Sequence, residues 1–309
     1  MRIPIRCICL CLLLGLLCGC GGGTQAAADE PEPAGEARAS EPVLYVPQAP
    51  GSSVLGQAPL VVDVSNASQG YVMAKYSGSA QKAVVQLTGS DGITYKYFLP
   101  SAEDFVPLPL TSGSGTYAVD GYENVSGTTY ATLFKQSVDV TLDSEFLPYL
   151  YPNQYVLFDE STEAVQVAAE TVSDASGDLD AVEKIYHYVI DHVTYDDEKA
   201  ATVTGGYLPT VDDTLHTGTG ICFDYAALTT AMLRSQNIPT RLEIGYSGSI
   251  YHSWISVYVE DQGWIDKLIE FTGSEWTRMD PTFASNGKSS KSILKYIGDG
   301  TNYSLQYLH

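Results

Sequence analysis

Gly218-Thr219-Gly220-Ile221-Cys222-Phe223-Asp224-Tyr225-Ala226 decides how this chain is read. Two glycines permit positive φ and close approach of another backbone. An alternation of small and apolar residues then runs to Gln236, with Ala226, Ala227 and Ala231 small enough to pack closely on a sheet. The pattern predicts a glycine turn entering a helix over 223–236. Asn237 is suited to a left-handed end and Pro239 bars continuation. Cys222 then sits at a helix N-terminus, where unpaired amides and the helix dipole favour a thiolate. Its own N–H is a candidate donor to an oxyanion.

Working outward, the thiol stands alone in the folded part of the chain. Of six cysteines, the other five (Cys7, Cys9, Cys11, Cys18, Cys20) crowd the first 20 residues. That segment has a basic start and an apolar run over 7–17 too short for a comfortable membrane span, the pattern of an export signal. Leu17-Cys18-Gly19-Cys20 resembles a bacterial lipobox, which makes Cys20 the expected lipidation site; ordinary cleavage and secretion is the alternative. Lipid anchoring to the outer face of a bacterial cell membrane follows as an expectation. A single thiol left over in an exported protein is a candidate reactive group.

Downstream, strands are expected over 241–246 and 250–259, joined by Ser247-Gly248-Ser249. In the second, Ile255, Val257 and Val259 face one way, and His252, Trp254, Ser256 and Tyr258 the other. A third strand over 276–280 stops at Pro281, with Trp276, Arg278 and Asp280 on one face. In this order the strands carrying His252 and Asp280 are expected side by side. Thiol, imidazole and carboxylate are the parts of a thiol-acyl enzyme: the imidazole moves the proton and the carboxylate fixes its tautomer. His216, six residues before the thiol in a polar loop, is the rival base. His187 and His192 fall on a helix over 179–193, capped by Asp178, and are read as structural or surface residues. Another helix is expected over 161–172. One thiol with scattered histidines lacks ligand-pair spacing, so no metal or other cofactor is expected.

Upstream, strands are expected over 60–64, 71–76, 83–87, 94–99, 116–119 and 130–142, separated by turn signals, the spacing of a β-sandwich of immunoglobulin-like type. This region holds no histidine or cysteine. It is read as a spacer or binding module. Residues 21–57 are rich in Gly, Ala, Glu, Pro and Ser and are expected to form a flexible linker. The expected organisation is a signal peptide over 1–20, the linker over 21–57, the β-sandwich over 58–147 and the catalytic domain over 148–309. Hydrophobic content of 44% and 22 tyrosines point to a folded chain, and a net charge of −21 argues against nucleic acid as partner.

The quoted stretch, with Met232-Leu233-Arg234, Gly245-Tyr246, His252-Ser253-Trp254 and Met279-Asp280-Pro281-Thr282-Phe283, resembles the transglutaminase-like core domain; Tyr195-Asp196 fits how such domains begin. The resemblance covers about 155 to 290. It implies a papain-like α+β fold in which Cys222 is the nucleophile, His252 the general acid/base and Asp280 the orienting carboxylate. Ser253 stands where the family usually has alanine, a small change. The superfamily spans cross-linkers, proteases, amidases and catalytically lapsed copies. Nothing resembles the calcium sites of the animal enzymes. The expectation is therefore a cell-surface thiol enzyme acting on amide bonds of protein or peptide, by hydrolysis or acyl transfer. Gly220, Trp254 and Trp276 are candidate cleft residues. The alternative is a non-catalytic binding or scaffolding lipoprotein that retains the fold.

Overall fold

Period-two alternation builds the upstream half. In the computed structural model, which describes residues 38–102, 104–260, 262–265, 269–271, 276–278 and 303–309, eight strands come first. They are β1 (Val54–Gln57), β2 (Leu60–Asp63), β3 (Tyr71–Tyr76), β4 (Lys82–Thr88), β5 (Thr94–Pro100), β6 (Val106–Pro109), β7 (Gly115–Ser126) and β8 (Thr129–Val140). They form two four-stranded antiparallel sheets, ordered β1-β2-β3-β6 and β5-β4-β7-β8. Ala83, Val85 and Leu87 of β4 and Tyr95, Tyr97 and Leu99 of β5 share one apolar core with Leu60, Val62, Val72 and Ala74 of the other sheet. The same alternation turns Lys96 and Phe98 of β5 to the opposite, exposed face.

The downstream half is mixed. It comprises α1 (Glu163–Thr171), α2 (Asp178–His192), β9 (Thr194–Tyr195), α3 (Asp197–Thr202), α4 (Val211–Thr217), β10 (Thr219–Gly220), α5 (Cys222–Ser235), β11 (Thr240–Ser247), β12 (Ile250–Val259), β13 (Gly263–Ile265), β14 (Ile269–Phe271), β15 (Trp276–Arg278) and β16 (Tyr303–Leu308). An antiparallel sheet runs β13-β12-β11-β16. Helix α5 is its central support: every residue from Asp224 to Ser235 is buried. That explains its small residues, since a helix enclosed on all sides needs close approach. Full burial of Leu228, Met232 and Leu233 stabilises the core by about 2 kcal/mol per side chain relative to exposure. The helix ends as expected, with Asn237 left-handed at φ 58°. Arg234, fully buried near that end, donates to the carbonyls of Thr240, Tyr151 and His309 and so ties α5 to β11 and to the end of β16.

Three features depart from the sequence reading. Residues 38–57, expected as a loose linker, run along the folded body and end in β1. Arg38 Nε donates to Asp178 at 2.6 Å, Val43 N–H to the Ser235 carbonyl at 2.8 Å, and Tyr45 packs edge-on to Tyr151 at 5.2 Å. Isolated long-range anchors hold this strap, and such anchors leave no local period in the sequence. Asp178, the expected cap of α2, is instead its first residue and takes the Arg38 ion pair. Finally, β15 pairs with β14 in a separate two-stranded sheet, while the described neighbours of β12 are β11 and β13. The stretch between β13 and β15 supplies its own pairing partner for β15. Among the described residues no helix is long and apolar enough to cross a membrane.

Candidate active site

Local hydrogen bonding fixes Cys222 at the first position of α5. Strands β9 and β10 pair in parallel just before it: Thr194 N–H donates to the Gly218 carbonyl at 2.8 Å and Asp196 N–H to that of Gly220 at 3.0 Å. Gly218 takes φ 61°, a left-handed turn suited to glycine. Ile221 is extended, and its N–H donates to the Asp224 carboxylate at 2.7 Å. This is one arm of a capping box, an N3 carboxylate reaching back to the N-cap amide. The N–H of Cys222 then has no carbonyl one turn back to accept it and faces outward from the helix end.

Asp224 does more than cap. Its carboxylate is fully buried, accepts from Tyr207 Oη at 2.5 Å, and pairs with Lys199 Nζ at 2.7 Å. Lys199 also lies over the Tyr207 ring at 4.6 Å. Lys199 N–H donates to Asp196 Oδ1, which caps α3, so the strand that holds the thiol turn also aims the lysine. A Cβ on Gly220 would sit 2.6 Å from the Asp224 Cβ. Glycine is therefore required at 220 by the carboxylate behind it.

His252 lies on β12 opposite Gly245 and is buried. Its ring stacks near that of Trp254, centroids 6.4 Å apart at 29°. Trp254 is wholly buried and donates Nε1–H to Glu243, which also accepts from Ser256 Oγ. A buried carboxylate thus locks the indole beside the imidazole.

Cys222 and His252 line one cavity of about 640 Å³. The upstream domain contributes Lys96 and Phe98 to its wall, and the core adds Tyr155, Tyr251 and His309. The Tyr251 phenol is pushed above its usual pKa by burial, then by Tyr307, Tyr246 and Cys222, so it stays protonated in neutral water. Of the residues singled out in the sequence, Cys222 and His252 are thereby brought together. Gly220 is buried against Asp224, and Trp254 backs His252 from within the core. Asp280 and Cys20 lie outside the described residues, as does the side chain of Trp276, whose backbone belongs to β15. His216 is exposed at the end of α4, its Nε2 2.7 Å from Glu163, whose carboxylate raises its pKa. His187 lies 3.8 Å from Glu183, and His192 stacks on Tyr188.

Sequence reading assigned no role to Asp224, Lys199 or Tyr207. A local signal existed for the first: Asp224 stands three residues beyond Ile221, the observed N-cap of α5. His309 was likewise missed. It is buried, tilted against Tyr155 at 4.1 Å, and its Nδ1 has no hydrogen-bond partner among the described residues. Burial, and then the Arg234 charge, lower its pKa from 6.5 to about 3. The unfolded chain therefore binds a proton that the folded chain refuses between those values. His309 contributes stability that is full above pH 6.5 and lost as pH falls toward about 3. Thermal melts of His309→Phe are expected to show a shallower decline in Tm on acidification from pH 6.5 to 4 than the parent. Parallel declines would refute this.

The family model of the transglutaminase-like superfamily matches residues 165–267, and this span holds both Cys222 and His252. Residues 165–267 form a transglutaminase-like core domain of mixed α and β structure. No curated protein matches the chain. Among solved structures, a candidate cysteine protease from Cytophaga hutchinsonii is similar over 74% of this chain and 77% of its own, at 14% identity and a TM-score of 0.38. A candidate protease from Parabacteroides distasonis is similar over 66% of this chain and 61% of its own, at 12% identity and a TM-score of 0.31. Red sea bream transglutaminase is similar over 76% of this chain and 54% of its own, at 14% identity and a TM-score of 0.33.

Proposed function

We propose that this chain is a thiol enzyme that cleaves amide bonds of protein or peptide through Cys222, His252 and Asp280. The observation that carries this reading is that Cys222, at a helix N-terminus, and His252, on a neighbouring sheet, line one cavity. The Cys222 thiolate attacks the amide carbon, and the oxygen takes the negative charge beside the amides of the α5 turn. As the C–N bond breaks, the His252 imidazolium gives its proton to the departing amine, leaving a thioester. His252 then takes a proton from water, the hydroxide attacks the thioester, and a carboxylic acid leaves as the thiol is restored. An amine in place of that water would give acyl transfer instead. Asp280 holds the second imidazole nitrogen and steadies the charged ring.

The location belongs to the same reading. The basic-apolar start and the lipobox-like Leu17-Cys18-Gly19-Cys20 support export and a lipid anchor at Cys20 on the outer face of a bacterial membrane. Substrates are then cell-surface protein or peptide. The two antiparallel sheets around one core support an immunoglobulin-like assignment for the upstream domain.

Alkylation of Cys222 by iodoacetamide at pH 6.5, followed by mass spectrometry, tests the pair. His252→Ala is expected to slow it at least tenfold while the variant stays folded, and to lower amide cleavage by about 10²- to 10⁴-fold. Equal alkylation rates in parent and variant would separate the imidazole from the thiol and remove the proposed mechanism.

A further inference from the structure

The cavity wall differs in charge from the rest of the molecule. The chain carries 37 acidic and 16 basic residues. Yet among the described residues that line the cavity there is no Asp or Glu side chain, and Lys96 is the one Lys or Arg. Lys96 comes from β5 of the upstream domain and makes no ion pair among the described residues. Beside it, Phe98 points the same way from the strand and is 43% exposed, with the Lys82 ammonium of β4 5.3 Å from its ring centroid as a second cation next to this wall. Across the cavity the apolar side chains of Val203, Leu208, Ile250 and Tyr251 are exposed as well. Among the described residues this acidic chain sets no Asp or Glu side chain on the apolar wall and places the Lys96 ammonium there, an arrangement that favours an anionic ligand at the β5 side.

We infer that β5 of the upstream domain is the selective wall of the thiol site, and that it favours peptide substrates with an apolar side chain and a carboxylate near the scissile amide. This rests on the thiol-enzyme reading above and adds its substrate class. Phe98 and the apolar residues opposite take the hydrocarbon, and Lys96 takes the carboxylate. The upstream domain is on this account part of the site, which gives a reason for its aromatic seam with the core: Tyr95 packs on Tyr307 at 5.7 Å, and Gln154 Nε2 donates to the Phe98 carbonyl at 2.8 Å.

The test uses the full chain and two small alkylators of nearly equal size, anionic iodoacetate and neutral iodoacetamide. Rates at Cys222 are read by mass spectrometry in the parent, Lys96→Gln and Lys96→Glu. The iodoacetate-to-iodoacetamide rate ratio is expected to fall by roughly three- to tenfold from parent to Lys96→Glu at low salt, with Lys96→Gln between, and the difference to shrink in high salt. A ratio unmoved by either variant overturns the inference. In a second arm, matched apolar peptides bearing Glu or Gln beside the scissile amide are compared by kcat/KM. A preference for Glu that Lys96→Glu reverses supports the substrate class, and a preference that ignores residue 96 overturns it. Should neither peptide be cleaved while the alkylation ratio follows Lys96, the amidase reading falls and the charge selection by β5 stands.

Discussion

Replacing Cys222 with alanine is expected to abolish amide turnover, a loss on the order of 10⁶ in kcat if the residue is the nucleophile of a cooperative set. The argument starts from position. At the first residue of α5 the side chain is half-buried and reaches the cavity, so it meets substrate without a change of fold. Neither water nor His252 replaces it, because neither forms the thioester that divides one hard step into two easier ones. Loss of a half-buried sulfur costs little stability, on the order of 1 kcal/mol, so Tm should barely move. Mass spectrometry of the parent with a slow amide or activated ester substrate should find the acyl group on the peptide containing Cys222. Cys222→Ser separates chemistry from shape. It keeps the size and the hydrogen bonding of the turn, but an alcohol is a far poorer nucleophile than a thiolate. Full turnover in the alanine variant would assign the chemistry to another group and end the thiol-enzyme reading.

The parts of this site that sequence made legible are those set by local physics. A glycine turn, a small-residue helix and a stop at Asn237 lie within one segment of chain, and the structure places α5 within a residue of the expected bounds. The strand with His252 was equally clear, because Ile255, Val257 and Val259 alternate with polar or aromatic neighbours. What was not legible depends on distant partners. Tyr303–Leu308 has no pattern that announces an edge strand, and only pairing with β11 makes it one. Lys96 and Phe98 look like the solvent face of a half-buried strand, which they are. Their role arises because the core domain builds its cavity against that face. The strap over residues 38–57 is held by single contacts such as Arg38 with Asp178, whose two ends lie 140 positions apart. Asp224 is the instructive omission: its capping role was local and readable, whereas the lysine that neutralises it arrives from α3.

Removing that carboxylate should have the second-largest effect. Asp224→Ala takes the carboxylate acceptor from three donors: the Ile221 N–H, the Tyr207 hydroxyl and the Lys199 ammonium, which among the described residues keeps only Tyr207. The carboxylate is fully buried, but the Lys199 side chain is 30% exposed, so water recovers part of the lost pairing. An expected cost of about 3 kcal/mol takes the lower end for a broken buried pair. For a folded body of this size that is roughly 5–10 °C in Tm. The charge state will not complicate the measurement. Burial pulls the Lys199 pKa down, but hydrogen bonds to Asp224 and Tyr207 outweigh it, and the net direction is upward from 10.5. A raised lysine pKa contributes stability that is full below 10.5 and lost only as pH rises past it, so the cost should be constant from pH 7 to 9. Function should suffer with stability. Without Asp224 the turn that presents Cys222 loses its N-terminal cap, and the loop carrying Tyr207 and Leu208 loses its anchor to the cavity wall. Asp224→Asn combined with Lys199→Met separates the two effects. It retains an acceptor for the Ile221 amide while removing both charges together, and should recover more than half of the lost stability. Iodoacetamide reactivity of Cys222 should recover with it. If the double variant is as unstable as Asp224→Ala, the ion pair is not the source of the cost. If Asp224→Ala melts within 1–2 °C of the parent, on the order of 0.5 kcal/mol, the buried cluster does not hold the thiol turn in place.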